Sequence, residues 1–375
     1  MLKALTLTLM IGPAILAPAP KVVIDSLSSV QVTSGKEGSG FQIVFAVSKR
    51  SPLLQTLLPA GYFDPITTRV AIVATVGGMP YVLMDGFVTR QELTPSSDPG
   101  QSRLTITGED LSIAMDLVQK SIPYPGMSVQ MQVMAALAPY ALLGVTPVVV
   151  PPFIPYTTSP SSGWDTQSLQ TDREFIRERA RNAGFVFYVN PGPIPGQSTA
   201  YFGPDINVPL PQPALTIDMD ALSNVESLSF SLDGLAKKIT LFTIMDPESD
   251  TVPVPIPVPN INLFKPPLGA RPTAPARIEY YNEAAALTPD KAAGAILASL
   301  INNSDAISGS GTLDVLRYGQ VLQPRMIVGV RGASIGYDGL YYVDSVTHSI
   351  KRGEYKQNFS LSRDGLISNT PVVPI

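Results

Sequence analysis

The 375-residue sequence contains no cysteine and a single histidine, His348. Without thiols the chain cannot form disulfides, thiolate zinc sites, iron–sulfur clusters or a cysteine nucleophile. One histidine rules out a multi-histidine metal site or a histidine acid–base pair within one chain. Charge is also scarce. Asp, Glu, Lys and Arg make up 15% of the residues, against about 25% in an average soluble domain. The 26 basic and 30 acidic residues leave a net charge of −4, so the basic excess of a protein built to hold nucleic acid is missing. After the N-terminus no stretch offers the ~20 unbroken apolar residues of a membrane-spanning helix, so no direct membrane insertion is expected. No phosphate-loop or dinucleotide fingerprint occurs, and Ser308-Gly309-Ser310-Gly311 reads as a flexible turn.

Proline is abundant, with 37 residues, double the usual ~5% and without a collagen-like period. Many turns and extended segments are expected, and no long helices. The length suggests roughly two or three domains. Low charge combined with a mean hydropathy of +0.19 points to a surface partly covered by other protein, as in an assembly subunit. At the N-terminus, Lys3, the apolar stretch Ala4–Ala17 and Ala17-Pro18-Ala19 imitate a secretory signal. Strict alternation in Leu5-Thr6-Leu7-Thr8-Leu9 and the prolines at 13, 18 and 20 favour a first β-strand instead, with no cleaved signal.

A β pattern is read at Val22–Ile24 and Val30–Val32, alternation returns at Phe41–Phe45, and Gly77-Gly78 suits a tight hairpin between 69–76 and 81–89. Asp110 is placed to cap a short helix with Leu111, Ala114, Met115 and Val118 inward. The middle of the chain turns helical. Residues 128–143 carry Met131, Met134, Ala135, Ala138 and Leu142 on one predicted face, with Pro139 as a kink or stop and Gly144 after the end. Thr171-Asp172-Arg173-Glu174 fits a capping box, Phe175, Ile176, Arg179, Ala180 and Ala183 form an inner stripe, and Gly184 ends the helix before the strand 185–189. β-structure resumes at 215–217 and 225–244. Residues 251–275, with proline alternating from Pro253 to Pro259, read as an extended connector rather than a core strand. A helix is predicted over 289–302, then strands 325–330, 340–350 and 355–363, the last two closing a hairpin at Gly353.

The chemistry-bearing patterns are weak. Gly332-Ala333-Ser334-Ile335-Gly336 matches a nucleophile elbow, but that device needs a helix after it and here a turn and strand follow. His348 reads as a strand residue satisfied by a neighbour. Glu109 and Asp110 are adjacent and would point to opposite faces, which does not suit glycosidase chemistry. Asp218-Met219-Asp220 lacks the glycine and terminal glutamate of a calcium loop. Arg173, Arg177, Arg179 and Arg181, interspersed with Asp172, Glu174 and Glu178, predict a solvated, ion-paired helix. No catalytic, metal or cofactor residue emerges from this inventory.

A family resemblance rests on several segments in order. Gly339–His348 with Tyr342, then Gly353, Tyr355, Phe359 and Arg363 in the run 352–365, resemble the late control protein D family. These are the hub proteins of contractile phage tails and of related extracellular contractile injection systems. Asp85-Gly86, Gly108 and Asp110 resemble that family's first β domain, Thr171-Asp172 with Gly184 its inserted helix–strand unit, and 224–230 its return strand. The resemblance implies a mainly β fold with an α+β insertion, and two β-barrel-like tail-hub domains related by pseudo-symmetry. The implied division is 1–121 for the first barrel, completed by 213–245; 122–212 for the insertion; 246–277 for the proline-rich connector; and 278–375 for the second barrel. The implied role is structural, not enzymatic. A homotrimer would adapt a hexameric inner-tube protein to a trimeric spike protein among other baseplate proteins, assembled in the cytoplasm and carried in a phage-tail-like particle. Two other classes remain open: a secreted or periplasmic β-rich binding protein, and a cell-wall hydrolase.

Overall fold

A computed structural model describes residues 5–13, 15–35, 38–98, 100–153, 165–205, 208–219, 222–244, 254–258, 265–281, 296 and 305–370. The predicted helix over 289–302 lies outside these residues except for position 296.

The N-terminal part supplies β1 (Leu5–Gly12), β2 (Ala17–Pro18), α1 (Lys21–Ser26), β3 (Leu27–Ser34), β4 (Ser39–Ala46), β5 (Arg69–Val76), β6 (Met79–Thr94) and β7 (Arg103–Asp110). Gly77 and Gly78 both take positive φ, 59° and 89°, which a two-residue hairpin turn between right-twisted strands requires. The C-terminal part supplies β13 (Val208–Thr216), β14 (Val225–Leu232), β19 (Ile307–Asp314), α4 (Val315–Tyr318), β20 (Met326–Arg331), β21 (Gly339–Lys351) and β22 (Glu354–Arg363). All of these strands join one 13-stranded sheet, in the order β14-β19-β22-β21-β3-β4-β7-β6-β5-β1-β2, with β20 and then β13 branching from β21.

That order contains the same unit twice. In the first unit the sheet runs β3-β4-β7-β6-β5-β1, and in the second β14-β19-β22-β21-β20-β13. Numbered by chain position within each unit, both read second-third-sixth-fifth-fourth-first. Two register shifts fall at matching places: before Ser29 on β3 and before Ser227 on β14, and after Val88 on β6 and after Val343 on β21. Bulges leave one residue unpaired and bend the strand, so their recurrence fixes the equivalence residue by residue. Two features depart from it: β1 runs antiparallel to β5, whereas β13 runs parallel to β20, and the β5–β6 pair has a shift at Ile72/Val73 that β20–β21 lacks.

Residues 213–245, expected to complete the first barrel, pair elsewhere. β13 lies against β20 and β14 against β19, so 213–232 build the second unit. In the first unit β3 has both edges taken, by β4 and β21, and β1 lies between β5 and the short β2. One hydrophobic core runs through both units, from Leu9, Phe45 and Ile72 to Val328, Tyr341 and Leu361.

Between the units, β8 (Gln119–Tyr124), α2 (Val129–Leu137), β9 (Val145–Val149), β10 (Asp165–Thr171), α3 (Asp172–Ala183), β11 (Val186–Pro191) and β12 (Ser198–Gly203) form the insertion around its own core of Phe175, Ile176, Phe187 and Phe202. Pro139 ends α2 as expected, and a tighter 3-10 turn carries the chain over 138–143 to Gly144. The buried face of α2 is Val129, Gln132, Val133, Ala136 and Leu137; the predicted face is outward, with Met131 and Met134 exposed. This helix is apolar nearly all round, so periodicity alone could not set its phase.

Proline-rich residues 254–258 form β16 (Val254–Val258), an edge strand paired with β15 (Lys238–Ile244), whose other neighbour is β18 (Arg277–Tyr281). Alternate residues of a strand turn their N–H to opposite sides, so prolines of one parity leave the paired side intact. β17 (Gly269–Pro272) pairs with β23 (Gly365–Ser368). The supposed flexible turn 308–311 is also strand, the middle of β19. There the rings of Phe230 and Phe359 occupy the space above Gly309 and Gly311.

Candidate functional site: the joint between the units and its clamps

The two units meet where β21 divides. Its first half pairs with β20, from Gly339 to Tyr342, and its second half pairs with β3 from Val346↔Ser34 to Lys351↔Ser29. On the covered face Val30, Val32, Val346 and Ile350 are buried. On the other face the hydroxyls of Thr33 and Thr347 lie 3.2 Å apart. His348 sits in the middle of the joint, opposite Val32. Its Nδ1 is 2.8 Å from the Tyr355 hydroxyl and 3.3 Å from Gln357 Nε2. An amide N–H and a phenol O–H both aimed at Nδ1 make that atom the acceptor, which puts the ring proton on Nε2. Burial holds this imidazole neutral and pushes its pKa down to about 3. Gln357 then clasps Leu322 in both directions, Nε2 donating to its carbonyl at 2.9 Å and Oε1 accepting its N–H at 3.0 Å.

The remaining residues singled out in the sequence fall into separate clamps. Asp85 is buried on β6 and holds Arg69 bidentately, Nε to Oδ1 at 2.7 Å and Nη2 to Oδ2 at 2.9 Å. Arg69 Nη1 donates to the Leu143 carbonyl, and Asp85 Oδ2 accepts from Gly196 N–H, which ties the insertion to the first unit. Gly86 faces Asp110 across β6–β7, and a Cβ there would lie 1.9 Å from the Glu109 carbonyl oxygen. Gly108 lies beneath the Phe41 ring. Asp110 caps the 3-10 turn 111–116 through Ser112 N–H and accepts Ser39 N–H at 2.9 Å. Leu111 and Met115 are buried there, whereas Val118 is exposed.

Arg363 ends the sixth strand of its unit, the position Asp110 holds in the other. Fully buried, it donates to the Asp338 and Gly336 carbonyls at 2.9 and 2.8 Å and lies 4.4 Å from the Tyr341 ring centroid. Burial lowers its pKa, partly offset by Tyr341 and Asp364. Gly339, at φ 125°, makes room beside it. Tyr342 donates to the Pro266 carbonyl. Phe359 and Tyr355 fill the core, and Gly353 turns the β21–β22 hairpin at φ 78°.

Thr171 caps α3 in a complete capping box with Glu174, and Gly184 closes it at φ 70°. The helix is not the solvated one predicted. Asp172 is buried, accepting from Lys120, Tyr140 and Gln167, and Arg173 reaches Glu109 and Asp116 at 3.1 and 3.4 Å. Arg179 lies buried against the Phe175 ring at 4.8 Å. The partners of Asp172 and Arg173 lie outside the helix, on β7, β8, β10 and the turns 111–116 and 138–143, so intrahelical charge pattern could not reveal them. Sequence reasoning also missed Arg325. It is buried between the three parts of the chain, lies 3.8 Å from the Tyr188 ring and donates to Asn190 Oδ1 and Gly35 O. Its φ of 63° is the kind of backbone feature no residue pattern announces.

Ser334 stands in the loop before β21, where the Asp338 carboxylate takes the N–H groups of Ala333 and Ser334. A strand, not a helix, follows, so the elbow geometry is absent. Among the described residues, no group of three or more acidic or histidine side chains is placed to hold a metal ion. Among them, too, no helix is long and apolar enough to cross a membrane.

No family model matches the chain, and no curated protein matches it in sequence. Solved structures do match over nearly the whole length. A tail protein from Neisseria meningitidis aligns with TM-score 0.60 at 16% identity, over 97% of this chain and 98% of that one. The 43 kDa tail protein of prophage MuSo2 from Shewanella oneidensis aligns with TM-score 0.63 at 12% identity, over 97% and 100%. An E. coli component of the type VI secretion system, described as structurally similar to T4 bacteriophage tail proteins, aligns with TM-score 0.53 at 12% identity, over 93% and 76%. The chain has the fold of phage and secretion-system tail proteins, the mainly β tail-hub fold implied by the late control protein D resemblance.

Proposed function

We propose that this chain is the hub of a contractile injection particle, a trimer that adapts a hexameric inner tube to a trimeric spike. The observation that carries the reading is the repeated six-strand unit, with both bulges at equivalent positions. A chain that must face sixfold and threefold partners at once can do so with two equivalent modules in each of three copies. The work is then shape and symmetry matching through large protein interfaces, without turnover. The buried clamps fit that role: Arg69–Asp85 and Arg325 lock the insertion against the sheet, and none of them presents a reactive group to solvent.

In this reading the first module is β1 to β7, the insertion 119–203, and the second module β13 to β22. The sheet of β15, β16 and β18 is an appendage of the second module. The chain would assemble in the cytoplasm and leave it only as part of the particle. Electron microscopy of particles purified from cells making a tagged chain tests the proposal. Three copies between a sixfold tube and a threefold spike are expected; a tagged chain that co-purifies with no tube or spike protein overturns it.

A further inference from the structure

Beside the joint, where both units and the insertion meet, lies a cavity of about 400 Å³. Its wall is built from the start of β6, the end of β11 with the turn after it, the segment 321–325 ahead of β20, and the joint itself. The volume falls in the range of sites that hold a small molecule. Arg325 is the only charged residue on the wall, and no carboxylate lines it.

Three side chains on this wall have hydrogen-bonding capacity to spare, and all of it is donor. Arg325 is 7% exposed. Two of its five N–H groups reach Asn190 Oδ1, at 2.8 Å, and the Gly35 carbonyl, while its guanidinium lies on the Tyr188 ring. Among the described residues no carboxylate pairs with it. Asp205 and Asp110 act on it from further off, and each is engaged elsewhere: Asp205 with Lys265 at 2.9 Å, Asp110 with the N–H groups of Ser39 and Ser112.

Asn190 gives its oxygen to Arg325, which leaves its amide N–H groups as donors without a partner among the described residues. His348 gives Nδ1 to Tyr355 and Gln357, neither of which lines the cavity. The ring proton is therefore on Nε2, which has no partner among the described residues either. A buried cation short of counter-charge is costly, and so is a buried N–H short of an acceptor. One chemical group answers both.

We propose that the cavity binds a small organic acid, its carboxylate held by Arg325, Asn190 and His348 and its apolar body packed on Leu83, Val321 and Pro324. A carboxylate is acceptor-only and its two oxygens match the guanidinium fork. The ligand touches the first unit through Leu83, the insertion through Asn190, and the second unit through Arg325 and His348, so binding ties the three parts together. The site is complete within one chain and does not depend on the hub reading.

His348 is the only histidine, so the full-length chain carrying the heavy nitrogen isotope in its histidine gives a single pair of imidazole resonances. Hexanoate, ionised near pH 7, is the probe, and hexanamide its uncharged counterpart. Titration with hexanoate is expected to move the Nε2 resonance to a plateau, with Nδ1 following less, and hexanamide should bind at least about tenfold more weakly. Asn190→Asp keeps the side chain's shape but sets a carboxylate of the chain itself against Arg325. It should weaken hexanoate binding at least about tenfold, since like charges then meet in the site. No plateau for the parent protein overturns the proposal, and so does equal binding of hexanamide. Hexanoate that raises the unfolding midpoint without moving Nε2 binds elsewhere and overturns it too, as does an Asn190→Asp chain that binds hexanoate as well as the parent.

Discussion

Phe41 on β4 lies directly across from Gly108 on β7, and a Cβ on that glycine would sit 2.3 Å from the ring. In the second unit the same two strands make the same device with the roles exchanged: Phe359 on the sixth strand covers Gly311 on the third. A ring laid over a glycine fills the space its missing side chain leaves and shields the backbone. Gly108→Ala is therefore expected to cost about 1–3 kcal/mol through overpacking, read as a lower urea midpoint at unchanged slope. Adding Phe41→Leu should recover only part of it, because the Phe87 carbonyl oxygen also lies 2.3 Å from the new Cβ. A neutral Gly108→Ala would mean that the ring is not packed on this position.

The Arg69–Asp85 pair is buried on both sides, with side chains 7% and 0% exposed. Removing one partner strands the other charge away from water, which costs about 3–5 kcal/mol, whereas replacing both with apolar residues is often near neutral. Asp85→Asn should thus destabilise strongly, and Arg69→Met with Asp85→Leu should destabilise less than Asp85→Asn alone. Chemical denaturation of the three variants checks this order. The same variants should loosen the loop around Gly196, which gives its N–H to Asp85, and faster amide exchange at Gly196 is the local readout.

Much of the fold was legible because local signals agreed. Alternation marked β1, β3 and β4, Gly77-Gly78 and Gly353 marked two hairpins, and Thr171 with Glu174 marked the start of α3. The repeat was not legible, and the exchanged Phe–Gly pairs explain it. Equivalent positions such as Phe41 and Gly309, or Gly108 and Leu361, carry opposite sizes, since packing conserves the volume across a strand pair and not the residue on either strand. The clamps were half legible. Asp85, Asp110 and Arg363 stood out through the family resemblance, but Arg69, Gln357 and Arg325 find their partners across the fold, where sequence spacing carries no information. β16 shows the limit of a rule applied without its geometry: alternating prolines exclude a central strand but suit an edge.

The Thr171 hydroxyl serves two groups, accepting Glu174 N–H and donating to Asp116 Oδ1 at 2.7 Å. Thr171→Ala removes both and should cost about 1–2 kcal/mol, at the upper end for a lost helix cap, with faster amide exchange in the first turn of α3. Thr171→Ser keeps the oxygen and should stay within a few tenths of the parent. Equal loss in both variants would assign the effect to the methyl group and its packing instead.

His348 gives the protein a defined acid sensitivity. Its pKa is pushed down to about 3 in the folded chain by burial, against about 6.5 for an unfolded histidine. Between those values the unfolded state binds the proton and the folded state does not, so stability falls as pH falls. The contribution is complete above about pH 6.5 and declines by up to ~1.4 kcal/mol per pH unit towards pH 3. Carboxylates begin to titrate below about pH 5, and the chain has no second histidine, so the slope between pH 6.5 and 5 reports this ring alone. The neighbours at Nδ1, Tyr355 and Gln357, carry no charge there, and burial raises the Tyr355 pKa further. His348→Gln should flatten stability across that window while lowering it at pH 7, because the Tyr355 hydroxyl then needs a new acceptor. A parent protein whose denaturation midpoint does not move between pH 6.5 and 5 would show that the ring can be protonated in place, and that the joint between the two units is open to water.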